Sequence, residues 1–322
     1  MKETLLSIPT PFGPAITLYK NSWEASQTPD TVLSIVSGLH GDQVNGIYVN
    51  SLLTRFMDRV ACGQEPDYKL KGKVQIFPVV NIPAAQSGSP LWSFDDLDHD
   101  LAFPGNDKGE VTERIARAIL THTSDSTHGI ILKTADPLYE DAAHMQWMNP
   151  DRPAKKMAQS LGLGITRRLS KSTTFQLSLF GHWLENDIPA LTISAGKPKA
   201  LDRPLCDSLF TDLQGLMTNL GVLTTARTKK EATKRTIFQA NNERPVFSSH
   251  AGLFVADVKV GTLLKKGEMI GQMTSIETGE VLEEYIAPED GYLVTLRHYP
   301  LTFEKEPIAI LLTDKKQGFW PF

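Results

Sequence analysis

An apolar run over residues 31–36 leads directly into a glycine-rich turn that carries a single histidine. The turn, Ser37 to Gly46, reads SGLHGDQVNG, and apolar residues at helical spacing follow it. A buried strand that ends in Gly-x-His-Gly and enters a helix is typical of α/β enzymes that hold a metal at the carboxyl edge of a sheet. A carboxylate three residues after His40 would complete a pair of ligands. Gln43 stands at that position, and its neutral amide is a much weaker ligand.

Strand-like and helix-like segments alternate down to about Leu220. Short apolar runs with β-branched residues, bounded by Gly, Pro or Asn, are typical of strands buried on both faces. These runs are Thr31 to Val36, Val74 to Val80, Ile130 to Leu132 and Ala190 to Ile193. Apolar residues recur at helical spacing over Ile47 to Val60, Val111 to Ile119 and Ser208 to Asn219. The alternation predicts a three-layer α/β domain with a largely parallel or mixed sheet.

The pattern changes after about Ala232, where short strand-like segments and closely spaced Gly turns begin. Such spacing is typical of a small all-β sandwich or barrel. We therefore predict an α/β domain over residues 1–232 and a second domain over 233–322. The run VKVGTLLKKGEMIGQM, followed by APEDGYL, resembles the biotinyl/lipoyl-type barrel-sandwich. The hairpin that would carry the cofactor, Ile276 to Glu280, has no Lys, so we expect a structural or oligomerising role.

The composition excludes several function classes. A net charge of −4 gives no reason to expect a nucleic-acid or membrane-surface partner. The N-terminal segment has no apolar stretch long enough for a signal peptide, and no segment is predicted to span a bilayer. Two distant cysteines, Cys62 and Cys206, suit a reducing compartment. We therefore expect a cytoplasmic protein.

Five short motifs occur in order along the chain and carry a family resemblance. They are GLHGDQ from Gly38, NIPAAQSG from Asn81, DHDLAFPG from Asp98, HGIILKT from His128 and PALTISAG from Pro189. In this order they resemble the succinylglutamate desuccinylase/aspartoacylase family, zinc amide hydrolases that remove acyl groups from amino acids. The resemblance implies a three-layer zinc-carboxypeptidase-like (phosphorylase/hydrolase-like) α/β domain with a mixed sheet, followed by a small all-β barrel-sandwich domain.

The same resemblance implies a site in which most functional side chains are replaced. His40 stands at the first zinc-ligand position, and Gln43 replaces the second ligand, a Glu. Lys133 replaces the His that would be the third ligand, and Ile131 replaces the Asp two residues before it. Ser194 replaces the Glu that would act as general base. His40, Lys133 and Ser194 are therefore the candidate catalytic positions, and His40 alone is a candidate metal ligand.

Groups expected to bind the substrate are also altered. Pro90 falls where the family places an Arg for the substrate carboxylate, and Asp100 and Leu101 replace the Asn and Arg of a DLNR motif. His99 falls where the family has an apolar Leu. The remaining polar positions around the implied pocket are our candidate substrate-binding residues: Asp42, Gln43, Asn81, Asp98 and Asp100.

These replacements remove the family's zinc chemistry. A hydrolytic zinc needs about three protein ligands and an open position for water, and an ammonium at the third position repels a dication. Ser194 cannot take a proton from zinc-bound water. We therefore expect no cofactor, with zinc only if the site is functional, and a non-catalytic role in binding a small molecule or peptide. Lys133 would supply a positive charge facing Asp42 or a bound anion. A homo-oligomer or an accessory role to another protein is also expected.

Three alternatives remain open. The first is an active, metal-dependent or metal-free hydrolase of N-acyl amino acids with an atypical site around His40. Its candidate groups are the acidic segment 95–100, Asp42, His128, His144 and His182. The second makes Ser194 a nucleophile within reach of His40. The third is an error in register that would bring Glu185 or Asp187 into the pocket.

Three further segments carry predictions of their own. Residues 139–148 are rich in aromatic residues and Met, and they predict core packing, a cleft wall or a partner surface. Residues 227–235 predict a solvated linker. The aromatic C-terminus, residues 318–322, predicts a docking segment.

Overall fold

The structure of the 322-residue chain is a computed structural model that describes residues 1–25, 29–148, 152–170, 172–226, 236–239 and 242–313. The predicted linker at 227–235 and the aromatic segment at 318–322 lie outside the described residues. The α-helices are α1 (Val44–Ala61), α2 (Ile82–Ser87), α3 (Val111–His122), α4 (Arg152–Ser160), α5 (Leu179–Glu185) and α6 (Arg203–Asn219). Two 3₁₀ turns cover His99–Leu101 and Phe175–Leu177.

The strands divide between the region before and the region after residue 232. The first ten are β1 (Lys2–Ile8), β2 (Ile16–Glu24), β3 (Val32–Ser37), β4 (Tyr68–Leu70), β5 (Lys73–Phe77), β6 (His128–Lys133), β7 (Tyr139–Trp147), β8 (Ile165–Arg168), β9 (Ala190–Gly196) and β10 (Leu223–Thr225). The remainder are β11 (Thr236–Phe238), β12 (Glu243–Phe247), β13 (Gly252–Ala256), β14 (Leu263–Leu264), β15 (Met269–Thr274), β16 (Val281–Ile286), β17 (Gly291–Arg297), β18 (Leu301–Thr302) and β19 (Pro307–Leu312).

A large mixed sheet forms the centre of the molecule. Its main path is β1-β2-β5-β3-β6-β9-β7-β17-β19-β12, and β8 joins it beside β7. The four strands β5, β3, β6 and β9 are parallel to one another, and antiparallel strands flank them on both sides. The mixed α/β architecture predicted from the sequence is therefore confirmed. Because β3, β6 and β9 run in the same direction, the residues that follow them meet at one edge of the sheet.

Helices cover both faces of this sheet, as the apolar runs predict. β3 is buried along its whole length, since one face packs on α1 and α6 and the other on α3 and α5. The side chains of β6 divide accordingly: Ile130 and Leu132 belong to the first core and Ile131 to the second. The alternation follows from the two-residue period of a strand. Lys133, two residues after Ile131, therefore lies on the α3/α5 side.

Two predicted boundaries were wrong for reasons of local chemistry. The strand predicted over 74–80 ends at Phe77, because Pro78 has no N–H to donate to a neighbouring strand. The helix predicted from Ser208 begins at Arg203, where the Asp202 side chain accepts from the Leu205 N–H and Pro204 occupies the first turn. In the described part of the chain, no helix combines the length and apolar character needed to cross a membrane.

The strands after residue 242 form two sheets around a core of their own. The smaller sheet has the order β16-β15-β13-β18, and it faces the end of the large sheet formed by β17, β19 and β12. Phe254, Ile270, Met273, Leu293 and Leu311 fill the space between them. The large sheet continues across the predicted domain boundary, because Thr295 on β17 pairs with Asp141 on β7.

Candidate ligand-binding site

The His40 turn is held at the carboxyl end of β3 by close backbone packing. A Cβ on Gly41 would lie 2.1 Å from the carbonyl carbon of Ala84, so only glycine lets the turn approach α2 this closely. The Asn81 N–H donates to the Gly38 carbonyl at 2.7 Å, and the Asn81 side chain caps α2 by accepting from the Ala84 N–H. The turn and the start of α2 therefore form one rigid unit.

The His40 ring is hydrogen-bonded at both nitrogens. Nε2 lies 2.8 Å from Asp98 Oδ1, and Nδ1 lies 3.4 Å from Gln43 Nε2. Burial alone would lower the pKa of His40, but the Asp98 hydrogen bond and the charges of Asp100, Asp98 and Asp42 outweigh it and raise that pKa. In the same pair the hydrogen bond and charge of His40 overcome burial and lower the pKa of Asp98. The pair is therefore an ion pair at mildly acidic pH.

Buried polar atoms without a hydrogen-bond partner are concentrated around this turn. Among the described residues they include Asp42 Oδ2, Gln43 Oε1, Asn81 Nδ2 and both ring nitrogens of His99. Burial raises the pKa of Asp42 against the opposing charges of His40 and Lys199. His99 packs beside Phe103, with ring centroids 6.1 Å apart, and burial lowers its pKa to about 3. The His40 turn therefore holds several polar groups whose hydrogen-bonding capacity the protein itself does not fill.

A second group of polar side chains lies on one face of the central sheet. Lys133 on β6 is the register partner of Ser194 on β9, and Ser194 is the partner of His144 on β7. Thr192 and Gln146 lie two residues from Ser194 and His144 and so share this face. The five residues sit where the carboxyl ends of β6 and β9 meet β7.

Lys133 lies at the junction of two clefts. The first has a volume of about 330 Å³, and the second a volume of about 380 Å³. Lys133, Gln146 and Leu169 line both clefts. Within the described part of the chain, the Lys133 ammonium has no hydrogen bond or ion pair. The structure therefore places an unpaired cation between the two clefts.

Ser194 has a structural partner. Its hydroxyl donates to Asp141 Oδ2 at 2.6 Å, and the Thr295 hydroxyl donates to Asp141 Oδ1 at 2.6 Å. The three side chains link β9, β7 and β17. A nucleophilic serine needs a base that removes its proton, usually a histidine. The described residues show no such bond for Ser194, so they do not support the nucleophile interpretation.

His144 also has a full set of partners. Its Nδ1 lies 2.8 Å from the Ala142 carbonyl, which can only accept, so Nδ1 carries the proton. Nε2 then accepts from Gln146 Nε2 at 3.0 Å and from Arg167 at 3.4 Å. Burial lowers the pKa of His144 to about 4, opposed by the charge of Asp141. His144 is thus a buried, neutral residue in a hydrogen-bond network.

Within the described part of the chain, several of the other proposed groups lie away from the His40 turn or have a structural partner. His128 begins β6 and therefore lies at the opposite edge of the sheet from His40. Glu185 and Asp187 precede β9 and lie at its amino end, away from Ser194. Asp95 accepts from the Thr112 N–H in the first turn of α3, which is a structural role.

The donor set does not fit a catalytic zinc ion. His40 is already bonded at both nitrogens, Gln43 offers a neutral amide, and Lys133 brings a positive charge to the implied third position. Zinc sites use Cys, His and carboxylate ligands, usually three with an open position. Within the residues that the structure describes, no three His, Cys, Asp or Glu side chains are grouped as a metal ion would need.

Part of this arrangement was not identified from the sequence. The sequence predicts core packing, a cleft wall or a partner surface for residues 139–148. In the structure β7 contributes both to the core and to the cleft wall. Met145 and Trp147 belong to the core, whereas Gln146 and Met148 line the first cleft. The alternation of polar and apolar residues along 144–147 was the available signal. The sequence analysis did not identify Asp141 and Thr295 as partners. They are 154 positions apart in the sequence and meet only because β7 pairs with β17.

Known structures share this fold along nearly the whole chain. The succinylglutamate desuccinylase/aspartoacylase structure from Rhodobacter sphaeroides has a TM-score of 0.80 at 17% identity and covers 97% of this chain and 96% of its own. The product-bound structure of the ectoine utilisation protein EutE (DoeB) from Ruegeria pomeroyi has a TM-score of 0.81 at 17% identity, with 97% and 95% covered. The chain has the fold of the succinylglutamate desuccinylase/aspartoacylase family. The α/β fold that the family resemblance implies is thereby confirmed.

Sequence comparison gives a shorter match. No protein-family model matches the chain. Over 105 residues it is 30% identical to the N-alpha-acetyl-L-2,4-diaminobutyric acid deacetylase of Halomonas elongata. That match spans 30% of this chain and 28% of the length of the relative. The similarity to known proteins therefore extends over nearly the whole chain in structure, but over only 30% of it in sequence.

Proposed function

We propose that this protein binds a small carboxylate-bearing molecule at Lys133 and does not hydrolyse it by the family's zinc mechanism. The observation that carries the proposal is the Lys133 ammonium, which is half-buried, faces both clefts and has no partner among the described residues. A partly buried cation gains most from an anionic ligand, because the surrounding protein screens the interaction less than water does. Gln146 and Thr192 add neutral hydrogen-bonding groups beside it.

The loss of hydrolysis is supported by the side chains at the implied catalytic positions. Ser194 is committed to Asp141, and its hydroxyl cannot serve as a general base. Gln43 and Lys133 are unsuited to hold zinc together with His40. A ligand bound at Lys133 would therefore occupy a pocket of the deacylase fold without the groups that activate water.

Calorimetric titration of two variants tests the proposal. N-acetyl amino acids, including N-alpha-acetyl-L-2,4-diaminobutyric acid, would be titrated into the wild type, Lys133→Gln and Lys69→Gln. Lys69 is an exposed residue of β4 and serves as the matched control for lost charge. We expect Lys133→Gln to bind about 10- to 100-fold more weakly, the range for a lost charged hydrogen bond. Equal affinity in Lys133→Gln would overturn the proposal.

A second candidate function is deacylation by an atypical site around His40. The observation that favours it is the His40–Asp98 pair, next to the buried Asp42 with its raised pKa. A histidine held by a carboxylate can move a proton during amide hydrolysis. Release of acetate from N-alpha-acetyl-L-2,4-diaminobutyric acid would decide between the two. Turnover that disappears in both His40→Ala and Asp98→Asn supports deacylation, whereas binding without turnover supports the first proposal.

We further propose that residues 233–322 form a barrel-sandwich domain with a structural, oligomerising role in a cytoplasmic homo-oligomer. The separate core between the two C-terminal sheets supports the domain. Val255, Leu282, Ile286 and Leu301 are exposed apolar residues of the smaller sheet, and a subunit contact would bury them. Light scattering with Leu301→Lys tests this point, since a charge there should shift an oligomer towards smaller species.

A further inference from the structure

One side of the first cleft is formed by apolar side chains. Leu39, Ile131, Met148, Leu179 and Phe180 all line it, although each is otherwise buried in the second core of the α/β region. This side of the cleft, its apolar wall, therefore consists of core side chains, none of which is more than 7% exposed. Phe175 and Leu101 also line this cleft.

The first cleft is lined by one basic and one acidic residue, Lys133 and Asp100. Lys133 is shared with the second cleft and so lies at the junction between the two. Asp100, together with Leu39, lines only the first cleft and belongs to the His40 side. A carboxylate at Lys133 thus has a cation on one side and the apolar wall beside it.

The two clefts differ in what they offer beyond Lys133. The second cleft is lined by Asp136, Asp141 and Arg167, and Arg167 is paired with Glu243 at 2.9 Å. An additional carboxylate on that side would meet two acidic residues and an arginine that is already neutralised. The first cleft has Asp100 as its acidic residue, and the rest of its lining divides between the apolar wall and neutral hydroxyl side chains, which are Ser170, Ser172, Thr174, Ser178 and Thr192. An apolar extension of the ligand therefore fits the first cleft better than the second.

From this arrangement we propose the chemical class of the ligand: a monocarboxylate with an unbranched apolar chain of medium length. Its carboxylate pairs with the Lys133 ammonium, and its chain lies along the wall formed by Leu39, Ile131, Met148 and Phe180. The inference rests on the proposed anion site at Lys133 and adds the apolar half of the ligand. A volume of about 330 Å³ is at the lower end of small-ligand pockets, which suits a molecule of this size.

The proposal predicts a dependence of affinity on chain length. Each methylene moved from water into the cleft should improve binding about 3- to 4-fold, which corresponds to ~0.8 kcal/mol. The gain should stop once the chain fills the cleft. A neutral alcohol of the same length should bind more weakly because it lacks the charge that Lys133 pairs with. An alkylamine should bind more weakly still, since two ammonium groups repel each other.

Titration calorimetry with acetate, butyrate, hexanoate and octanoate tests the proposal, with octanol and octylamine as head-group controls. The proteins are the full-length wild type, Lys133→Gln, Met148→Gln and Leu101→Gln. Leu177→Gln is the matched control for Leu101→Gln. Leu177 is 43% exposed and Leu101 is 41% exposed, and of the two only Leu101 lines the cleft. Because Leu101 is partly exposed, the Leu101→Gln variant still tests the apolar wall if the buried Met148→Gln variant does not fold.

The expected result is tighter binding of longer chains to the wild type, with every chain bound about 10- to 100-fold more weakly by Lys133→Gln. Leu101→Gln should weaken octanoate and leave acetate unchanged, and Leu177→Gln should change neither. Carboxylates that bind with the same affinity whatever their chain length would overturn the apolar half and leave the Lys133 site standing. Octanol bound as tightly as octanoate, or octanoate bound equally by Lys133→Gln, would instead overturn the carboxylate site on which the inference rests.

Discussion

Lys133 and Ser194 are register partners on the adjacent parallel strands β6 and β9, yet their side chains have opposite roles. Both stand at positions that the family resemblance assigns to catalysis. Ser194 is 1% exposed and donates to Asp141, so its hydroxyl stabilises the fold. Lys133 has no partner among the described residues and faces the clefts. The implied active site is thus divided between a structural position and a ligand-facing position.

Replacing Ser194 tests its structural role. Ser194→Ala removes one of the two hydroxyl groups that donate to the buried Asp141 carboxylate. A hydrogen bond to a charged group contributes about 1.5–3 kcal/mol, so we expect the free energy of unfolding to fall by that amount. Urea denaturation followed by fluorescence measures it.

Thr295→Val is the matched control, because it removes the other donor to Asp141. The two variants and their double mutant form a cycle, and we expect a coupling of about 0.5–3 kcal/mol between residues that share one partner. Ligand binding should change little in either variant. An unaltered unfolding free energy in Ser194→Ala, combined with lost binding or activity, would return Ser194 to the functional site.

His99 and His144 make opposite predictions for replacement by leucine. Both are fully buried, but His99 has no hydrogen-bond partner at either ring nitrogen among the described residues, whereas His144 has three partners. His99→Leu should therefore increase the unfolding free energy at pH 7.5 by about 1–3 kcal/mol, the cost of unpaired buried polar groups. His144→Leu should decrease it by a similar amount, since it leaves Gln146 and Arg167 without their acceptor. A loss of stability in His99→Leu would contradict the hydrogen-bond assignment.

The pH dependence of the His99→Leu effect has a defined sign. Burial lowers the pKa of His99 to about 3, while the unfolded chain titrates near 6.5. Between these values the unfolded state binds the extra proton, so His99 costs stability as the pH falls below 6.5, about 2 kcal/mol at pH 5. The gain from His99→Leu should therefore be larger at pH 5 than at pH 7.5. The raised pKa of His40 affects stability above pH 6.5, but both proteins contain His40, so this contribution is shared when His99→Leu and the wild type are compared at the same pH.

Gly41 sets the position of the His40 turn. Gly41→Ala would place a methyl group 2.1 Å from the backbone of Ala84, which must displace α2 or the turn. We expect a loss of about 2 kcal/mol or more in unfolding free energy, together with weaker ligand binding. Gly215→Ala is the control: it lies inside α6 with its nearest contact at 3.5 Å and should stabilise the protein by about 0.5–1 kcal/mol. Equal effects of Gly41→Ala and Gly215→Ala on the free energy of unfolding would contradict the close packing of Gly41 against Ala84.

The sequence predicted the layers of the fold better than the roles of its polar residues. Short continuous apolar runs predicted the strands that contain Ile35, Ile76, Ile130 and Leu191, because a strand covered on both faces must be apolar along its length. The role of Ser194 could not be predicted in this way. Its partners on β7 and β17 are distant in the sequence, and a strand residue's neighbours depend on sheet order, which periodicity does not determine.

Metal binding can be tested by restoring the family's ligands. His40 remains at the first zinc-ligand position, and Gln43→Glu with Lys133→His would provide a carboxylate and a second imidazole, a ligand set that catalytic zinc uses. After incubation with zinc and buffer exchange, we expect about one zinc per chain in this double variant and none in the wild type. The bound metal should also raise the melting temperature of the double variant, since a ligand that binds only the folded state stabilises it. Adding His40→Ala should abolish both effects. Stoichiometric zinc in the wild type that disappears in His40→Ala would show that Gln43 and Lys133 do not prevent metal binding, and it would favour the deacylase candidate over carboxylate binding.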